Sequence, residues 1–359
     1  MIDASSLTVH QMIEVALEVK ASDLFLKGGQ KPMMKQFSEV KPLPGEWPVI
    51  DGENAKRMIR GLMDERMQRE FDDMLEFDLG FNVGGKCRVR TNVYMERGNY
   101  ALVCRIVPLK ILTLEELGLP PVLAEITKHR QGLVLVTGPT GCGKTTTLAA
   151  MIDIINKERK SHIVTIEDPL EFIHPDQQSY VSQRELGVDT KNFAHALRAM
   201  LRQAPDVILI GEMRDPDTMG VALQAGETGH LVFSTVHTAS AYETMDRIIN
   251  MFPPHEKHHL CLRMAGALRA VLAQKLVPRA DGNGRVAVNE ILICTPTVSK
   301  LIEDGHFSDL YHAMNEGQFW GMQTMNQGLV RMVKAGVISE EVAIQYSGIA
   351  SELKQLLRR

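Results

Sequence analysis

Through the middle of the chain, short apolar runs take turns with amphipathic stretches. Runs at 133–136, 162–166, 207–210 and 231–236 lack a polar-apolar alternation, and helical spacing falls at 145–156, 193–203, 217–225 and 242–251. Strands that are apolar throughout are buried on both faces, so the pattern predicts a mainly parallel sheet covered by helices, an α/β fold. Upstream the pattern differs. Val9, Met12, Ile13, Ala16 and Leu17 line one helix face behind Ser5 and Ser6 as caps, residues 23–26 read as a strand, and Pro32, Pro42, Pro44 and Pro48 predict an irregular stretch. Short helices follow at 54–63 and 65–71. Phe77, Leu79, Phe81 and Val83 alternate, Gly84 and Gly85 turn the chain, and Val89, Thr91 and Val93 alternate again, which predicts a hairpin with a further strand at 100–107.

These switches divide the chain into an α+β domain at 1–108 with helices on one face of an antiparallel sheet, a linker at 109–131 carrying Pro120 and Pro121, and a core at 132–296. From Pro254 helical periodicity takes over through Leu260, Leu262, Ala265, Leu268, Val271, Leu272 and Leu276, interrupted by a strand at 286–293. Residues 297–359 read as a helical subdomain jointed at Gly305, Gly317 and Gly336.

Composition narrows the function classes. The 359 residues are 44% hydrophobic and carry a formal net charge of −4, which supports substantial cores and argues against a nucleic-acid binder. No apolar run approaches the roughly 18 residues of a membrane span, and the first residues lack a secretory leader, so the expected location is the cytosol. Five cysteines without C-x-x-C spacing fit reduced thiols and argue against a zinc module. His255, His258 and His259 are close enough in sequence for metal ligation, but read more simply as a solvated helix surface.

The chemistry concentrates at Gly138, Pro139, Thr140, Gly141, Cys142, Gly143, Lys144, Thr145 and Thr146, between a predicted strand and a predicted helix. Glycines let backbone N–H groups converge on an anion, Lys144 reaches the β- and γ-phosphates, and Thr145 offers a hydroxyl to magnesium, so ATP and Mg2+ are the expected ligands. The four fixed positions of this pattern would match by chance in roughly 1–2% of chains this long. Cys142, beside Lys144 and a helix N-terminus, is expected to have a lowered thiol pKa. Glu212 ends the apolar run 207–210 at the carboxyl edge of the sheet, where it would meet magnesium through water. Glu167, Asp168 and Glu171 follow another strand as alternative general bases. His230 and His237 bracket the strand 231–236, each suited to sensing or relaying loss of the γ-phosphate. Arg88 and Arg90 share one strand face, with Arg97 and Arg105 nearby, as candidate phosphate partners.

Taken together, the loop at 138–145, T-I-E-D-P-L-E-F at 165–172, L-R-Q-A-P-D-V-I-L-I-G-E-M-R-D at 201–215, A-G-E-T-G-H-L-V-F-S-T-V-H-T at 225–238 and G-M-Q-T-M at 321–325 resemble the type II/IV secretion ATPases, and within them the PilT-type retraction ATPases of type IV pili. The resemblance implies a PAS-like N-terminal domain and a RecA-like P-loop ATPase domain working as a homo-hexamer. Such a motor would sit at the inner face of the cytoplasmic membrane and turn a platform protein of the pilus. It matches Glu171 to the catalytic glutamate, Glu212 to the magnesium-site acid and His230 and His237 to the histidine box, and it promotes Arg90 and Arg105 as nucleotide contacts. Phe25, where the commonest pattern has histidine, and the unusual 297–304 segment fit an accessory PilU-like paralogue, so a paralogous retraction ATPase is a further partner. Rival readings are an assembly or type II secretion ATPase, which the cysteine spacing opposes, a nucleic-acid translocase, and a slow regulatory nucleotide-binding module.

Overall fold

The computed structural model describes residues 6–36, 39–108 and 110–358. The chain divides into two units, Met1–Lys110 and Ile111–Arg359. The first holds α1 (Val9–Glu18), β1 (Asp23–Lys27), β2 (Met33–Gln36), β3 (Glu39–Pro42), α2 (Gly52–Arg60), α3 (Glu65–Met74), β4 (Glu76–Val83), β5 (Cys87–Glu96) and β6 (Asn99–Pro108). Its strands form one antiparallel sheet in the order β3-β2-β1-β6-β5-β4.

Two local expectations change. The cap of α1 is Thr8: its hydroxyl accepts from Gln11 N, while the Gln11 side chain accepts from Thr8 N. This reciprocal box satisfies two donors at once, which Ser6 is too far upstream to do; Ser5 lies outside the described residues. The proline-rich stretch contains β2 and β3, because Pro32 precedes one strand and Pro42 ends the other, where a missing N–H costs little. On β5 the expected alternation is present. Cys87, Val89, Thr91 and Val93 are buried, and Arg88 and Arg90 share the opposite face.

The second unit contains α4 (Val122–Ile126), β7 (Gly132–Thr137), α5 (Lys144–Glu158), β8 (His162–Glu167), β9 (Tyr180–Glu185), α6 (Phe193–Met200), β10 (Val207–Ile210), α7 (Pro216–Glu227), β11 (Leu231–Val236), α8 (Ala241–Asn250), α9 (Lys257–Ala267), β12 (Leu268–Pro278) and β13 (Arg285–Ile293). Helices α10 (Pro296–Glu303), α11 (Leu310–Glu316), α12 (Met325–Lys334), α13 (Glu340–Tyr346) and α14 (Ala350–Leu357) follow. The sheet order is β13-β12-β7-β11-β10-β8-β9, parallel except for β13.

Along β7, Leu133 and Leu135 enter a core shared with α6, α7 and α9, whereas Val134 and Val136 enter a second core shared with α4 and α5. Both faces are dry, which is why the strands show no alternation; each such side chain contributes about 1.5–3 kcal/mol of burial. Residues Leu114, Leu119, Leu123 and Ile126, from the stretch between the predicted domains, pack into this second core. The helical periodicity read across 260–276 is a helix only to Ala267. Leu268 turns extended, with φ −63° and ψ 136°, and the following apolar run fills the slot between β7 and β13 as a strand buried on both faces. Strand β9, mostly polar, lies at the sheet edge beside β8.

Candidate functional site

The functional edge is created where β7 ends and α5 begins. Gly138, Gly141 and Gly143 have φ of 141°, 76° and 88°, values that side chains with a Cβ rarely adopt. Gly143 is the N-cap of the 15-residue α5 and no side chain caps that end, so its first amides are directed toward the loop. Lys144 is buried, and its ammonium donates to the carbonyls of Gly138 at 2.9 Å and Pro139 at 3.0 Å. Burial depresses its pKa, while Glu212 and Glu171 oppose that only through space. A buried cation held by carbonyls, with carboxylates near but not paired to it, is a site for an anion. Thr145 and Thr146 are half-buried in the first turn of α5.

The ends of β10 and β11 bring further groups to the same place. His237 stands between Lys144 and Glu212, its Nδ1 3.5 Å from Lys144 Nζ and its Nε2 3.4 Å from Glu212 Oε1. Because an ammonium can only donate, Nδ1 is the acceptor in that contact, which leaves Nε2 to carry the N–H that faces the carboxylate. The other oxygen of Glu212 lies 2.8 Å from Arg214. Burial works against the Glu212 charge, but Arg214 and His237 outweigh it and hold the carboxyl below its usual range. Arg247 of α8 fixes the loop after β11 by donating to the His237 carbonyl at 2.7 Å. A pocket of about 520 Å³ opens beside the loop, lined among others by Thr140, Cys142, His237, Leu276 and Tyr346.

At the end of β8 the three acids separate. Glu167 is buried and accepts from the Thr165 hydroxyl at 2.8 Å; burial raises its carboxyl to about 7, with hydrogen bonds from Thr165 and Gln183 working the other way. Asp168 is exposed. Glu171 is half-buried, and its charge is felt by both Lys144 and Glu167.

Two expectations are corrected. His230 is not at this edge: β11 runs parallel to β7, with Leu231 opposite Gly132 and Val236 opposite Thr137, so His230 precedes the strand that His237 follows. Six residues, roughly 20 Å, separate them. The His230 ring hydrogen-bonds the Ala225 carbonyl at 3.0 Å instead. Cys142 is 3% exposed, with its sulfur folded under Gly138, where an added Cβ would lie 2.6 Å from it. Burial pushes the thiol pKa up, outweighing Lys144, so the expected activated thiol is absent.

In the first unit, Arg90 and Arg105 are direct cross-strand partners, and Arg105 pairs with the buried Asp23 at 3.2 Å. Like charges opposite each other are unfavourable, and Asp23 offsets this. The exposed His255, His258 and His259 form no metal cluster, nor does any group among the described residues. Arg214, Arg247, Thr147 and Gln274 are parts of the arrangement to which the sequence assigned no role; Arg214 alone carried a signal, two positions beyond Glu212.

The family model for the type II/IV secretion system protein matches residues 84–286. The type IV pilus retractation ATPase PilT of Pseudomonas aeruginosa is 41% identical over 335 residues, covering 93% of this chain and 96% of its own length. The type IV pilus ATPase PilU of the same organism is 38% identical over 349 residues, covering 97% and 91%. Among solved structures, that of the pilus retraction motor PilT with bound ADP superposes with a TM-score of 0.91 at 38% identity, covering 98% of this chain and 100% of that one. On the family model's match at residues 84–286 and on the near end-to-end coverage of these relatives, the chain belongs to the type II/IV secretion system protein family, among its PilT/PilU-type ATPases.

Proposed function

We propose that this chain is an ATP-hydrolysing motor for type IV pilus retraction, acting as a homo-hexamer on a membrane platform protein. The observation that carries the reading is the buried Lys144, held by loop carbonyls at an uncapped helix N-terminus, with Glu212, His237 and Glu171 around it. These groups fit a nucleoside triphosphate. The loop 138–146 holds the phosphates, Lys144 moves its hydrogen bonds from the carbonyls to the β- and γ-phosphates, and Glu171 orients and deprotonates the attacking water. Thr145 and Glu212 are hard oxygen donors suited to magnesium, and would hold it with phosphate and water, Glu212 through the water shell. The ion would neutralise charge developing on the phosphates. His237, between Lys144 and Glu212, reports whether the γ-phosphate is present, and His230 acts from the far end of β11 on a neighbouring subunit. Arg90 and Arg105 are candidate phosphate contacts.

The test is steady-state ATP turnover of the purified protein. Lys144→Ala and Glu171→Gln should each abolish most of it, and full turnover in Glu171→Gln would move the base role to Glu167. A second reading, an accessory motor, is favoured by the 38% identity to PilU across 97% of the chain. A Lys144→Ala protein that still supports pilus retraction in cells would select it.

A further inference from the structure

Gln274, in the middle of β12 and 2% exposed, is where the phosphate loop meets the rest of its unit. Its Nε2 donates to the Cys142 carbonyl at 2.6 Å, and its Oε1 accepts from the Thr147 hydroxyl of α5 at 2.8 Å and from Asn289 Nδ2 of β13 at 3.0 Å. Asn289 is anchored in turn, its carbonyl accepting from Gln323 Nε2 at 2.6 Å, while the Gln323 backbone exchanges hydrogen bonds with Ile291. Thr147, Gln274, Asn289 and Gln323 are all buried. The loop also lies against Gln274 at both ends. A Cβ at Gly138 would fall 2.4 Å from the Gln274 carbonyl oxygen, and one at Gly143 would fall 2.9 Å from Nε2.

We infer that Gln274 is a positioning residue for the phosphate loop. A trans peptide is planar, so its carbonyl and the following N–H point in opposite directions. Holding the Cys142 carbonyl against Gln274 therefore turns the Gly143 N–H away from β12, into the concave side of the loop where phosphate oxygens would be bound. The same amide ties that peptide to the first turn of α5 through Thr147, so loop and helix N-terminus keep one geometry. Glutamine suits the position because one planar group supplies both the donor and the acceptor; glutamate lacks the donor and methionine lacks both. The inference rests on reading 138–145 as the phosphate loop.

The full-length protein tests it, by calorimetric titration with ADP and steady-state ATP turnover. Gln274→Met, similar in shape without either polar atom, should raise the ADP Kd and the ATP KM about tenfold and leave kcat within about threefold, the loss expected for a misdirected loop hydrogen bond. Thr147→Val should move Kd and KM the same way by about threefold, and the double variant should fall short of the product of the two, because both act through one amide. A Gln274→Met protein with Kd and KM within twofold of wild type overturns the inference, as does one that loses thermal stability and kcat with KM unchanged. If Gln274→Met does not fold, Thr147→Val decides: unchanged Kd and KM overturn the inference. Lys144→Ala separates the premise. Unaltered ADP binding there overturns the loop reading and this inference with it, whereas lost binding there beside an unaltered Gln274→Met overturns this inference alone.

Discussion

Lys144 directs its hydrogen bonds to two backbone carbonyls, an arrangement that leaves its charge without an anionic partner in contact among the described residues. An arriving phosphate supplies that partner to a buried ammonium, so Lys144→Ala should weaken ADP binding by at least about a hundredfold, measured by calorimetry. Glu167 makes a different prediction. Its folded pKa of about 7 lies above the ordinary carboxyl value of 4.5, so the folded state holds the proton more tightly than the unfolded chain. Its favourable contribution is complete below about pH 4.5 and is lost as pH rises through 7; the displacement corresponds to on the order of 3 kcal/mol. Glu167→Gln keeps a neutral side chain that still accepts from Thr165. Urea unfolding should find it equal to wild type near pH 4.5 and more stable by that order at pH 8, with Glu171, the neighbouring acid, modulating the size. A pH-independent difference would contradict the assignment. At this scale the sequence located Lys144, Glu212 and His237 at one edge through strand ends alone. It could not reveal that Cys142 faces inward, because exposure and pKa depend on β12, a segment more than a hundred residues away.

Among the elements, the parallel strands were legible because an apolar run covered on both faces needs no tertiary information to be seen, as at β7, β10 and β11. Strand β12 was not. The apolar positions of Leu268–Pro278 (Leu268, Val271, Leu272 and Leu276) satisfy helical spacing, and only the segment's place between β7 and β13 makes it a strand. His230 and His237 bracket β11 in sequence, so the length of the strand alone sets them at opposite edges of the sheet. The elements also carry a buried coupling. Glu290 of β13 accepts from Ala241 N at the start of α8, at 2.8 Å, and from Met325 N at the start of α12. Burial raises its pKa against those hydrogen bonds. Glu290→Ala leaves both helix ends without that acceptor and should lower stability by about 2–4 kcal/mol in urea unfolding, whereas Glu290→Gln, able to accept one of the two, should lose less. Equal losses in the two variants would mean that the single acceptor glutamine retains contributes nothing, and would contradict the assignment.

For the whole molecule, no helix among the described residues is long and apolar enough to cross a membrane, and the formal charge of −4 offers no general attraction to nucleic acid. ATP turnover should therefore be unaffected by added DNA at low salt, and stimulation that fades as salt rises would instead favour a translocase. Retraction itself is a property of cells, and the direct test is the surface piliation and twitching of a strain lacking this gene, complemented by wild type or by Lys144→Ala. The account predicts excess, non-retracting pili in the deletion strain, restored retraction with wild type, and no restoration with Lys144→Ala. Loss of surface pili on deletion, or unchanged twitching without the gene, would contradict it.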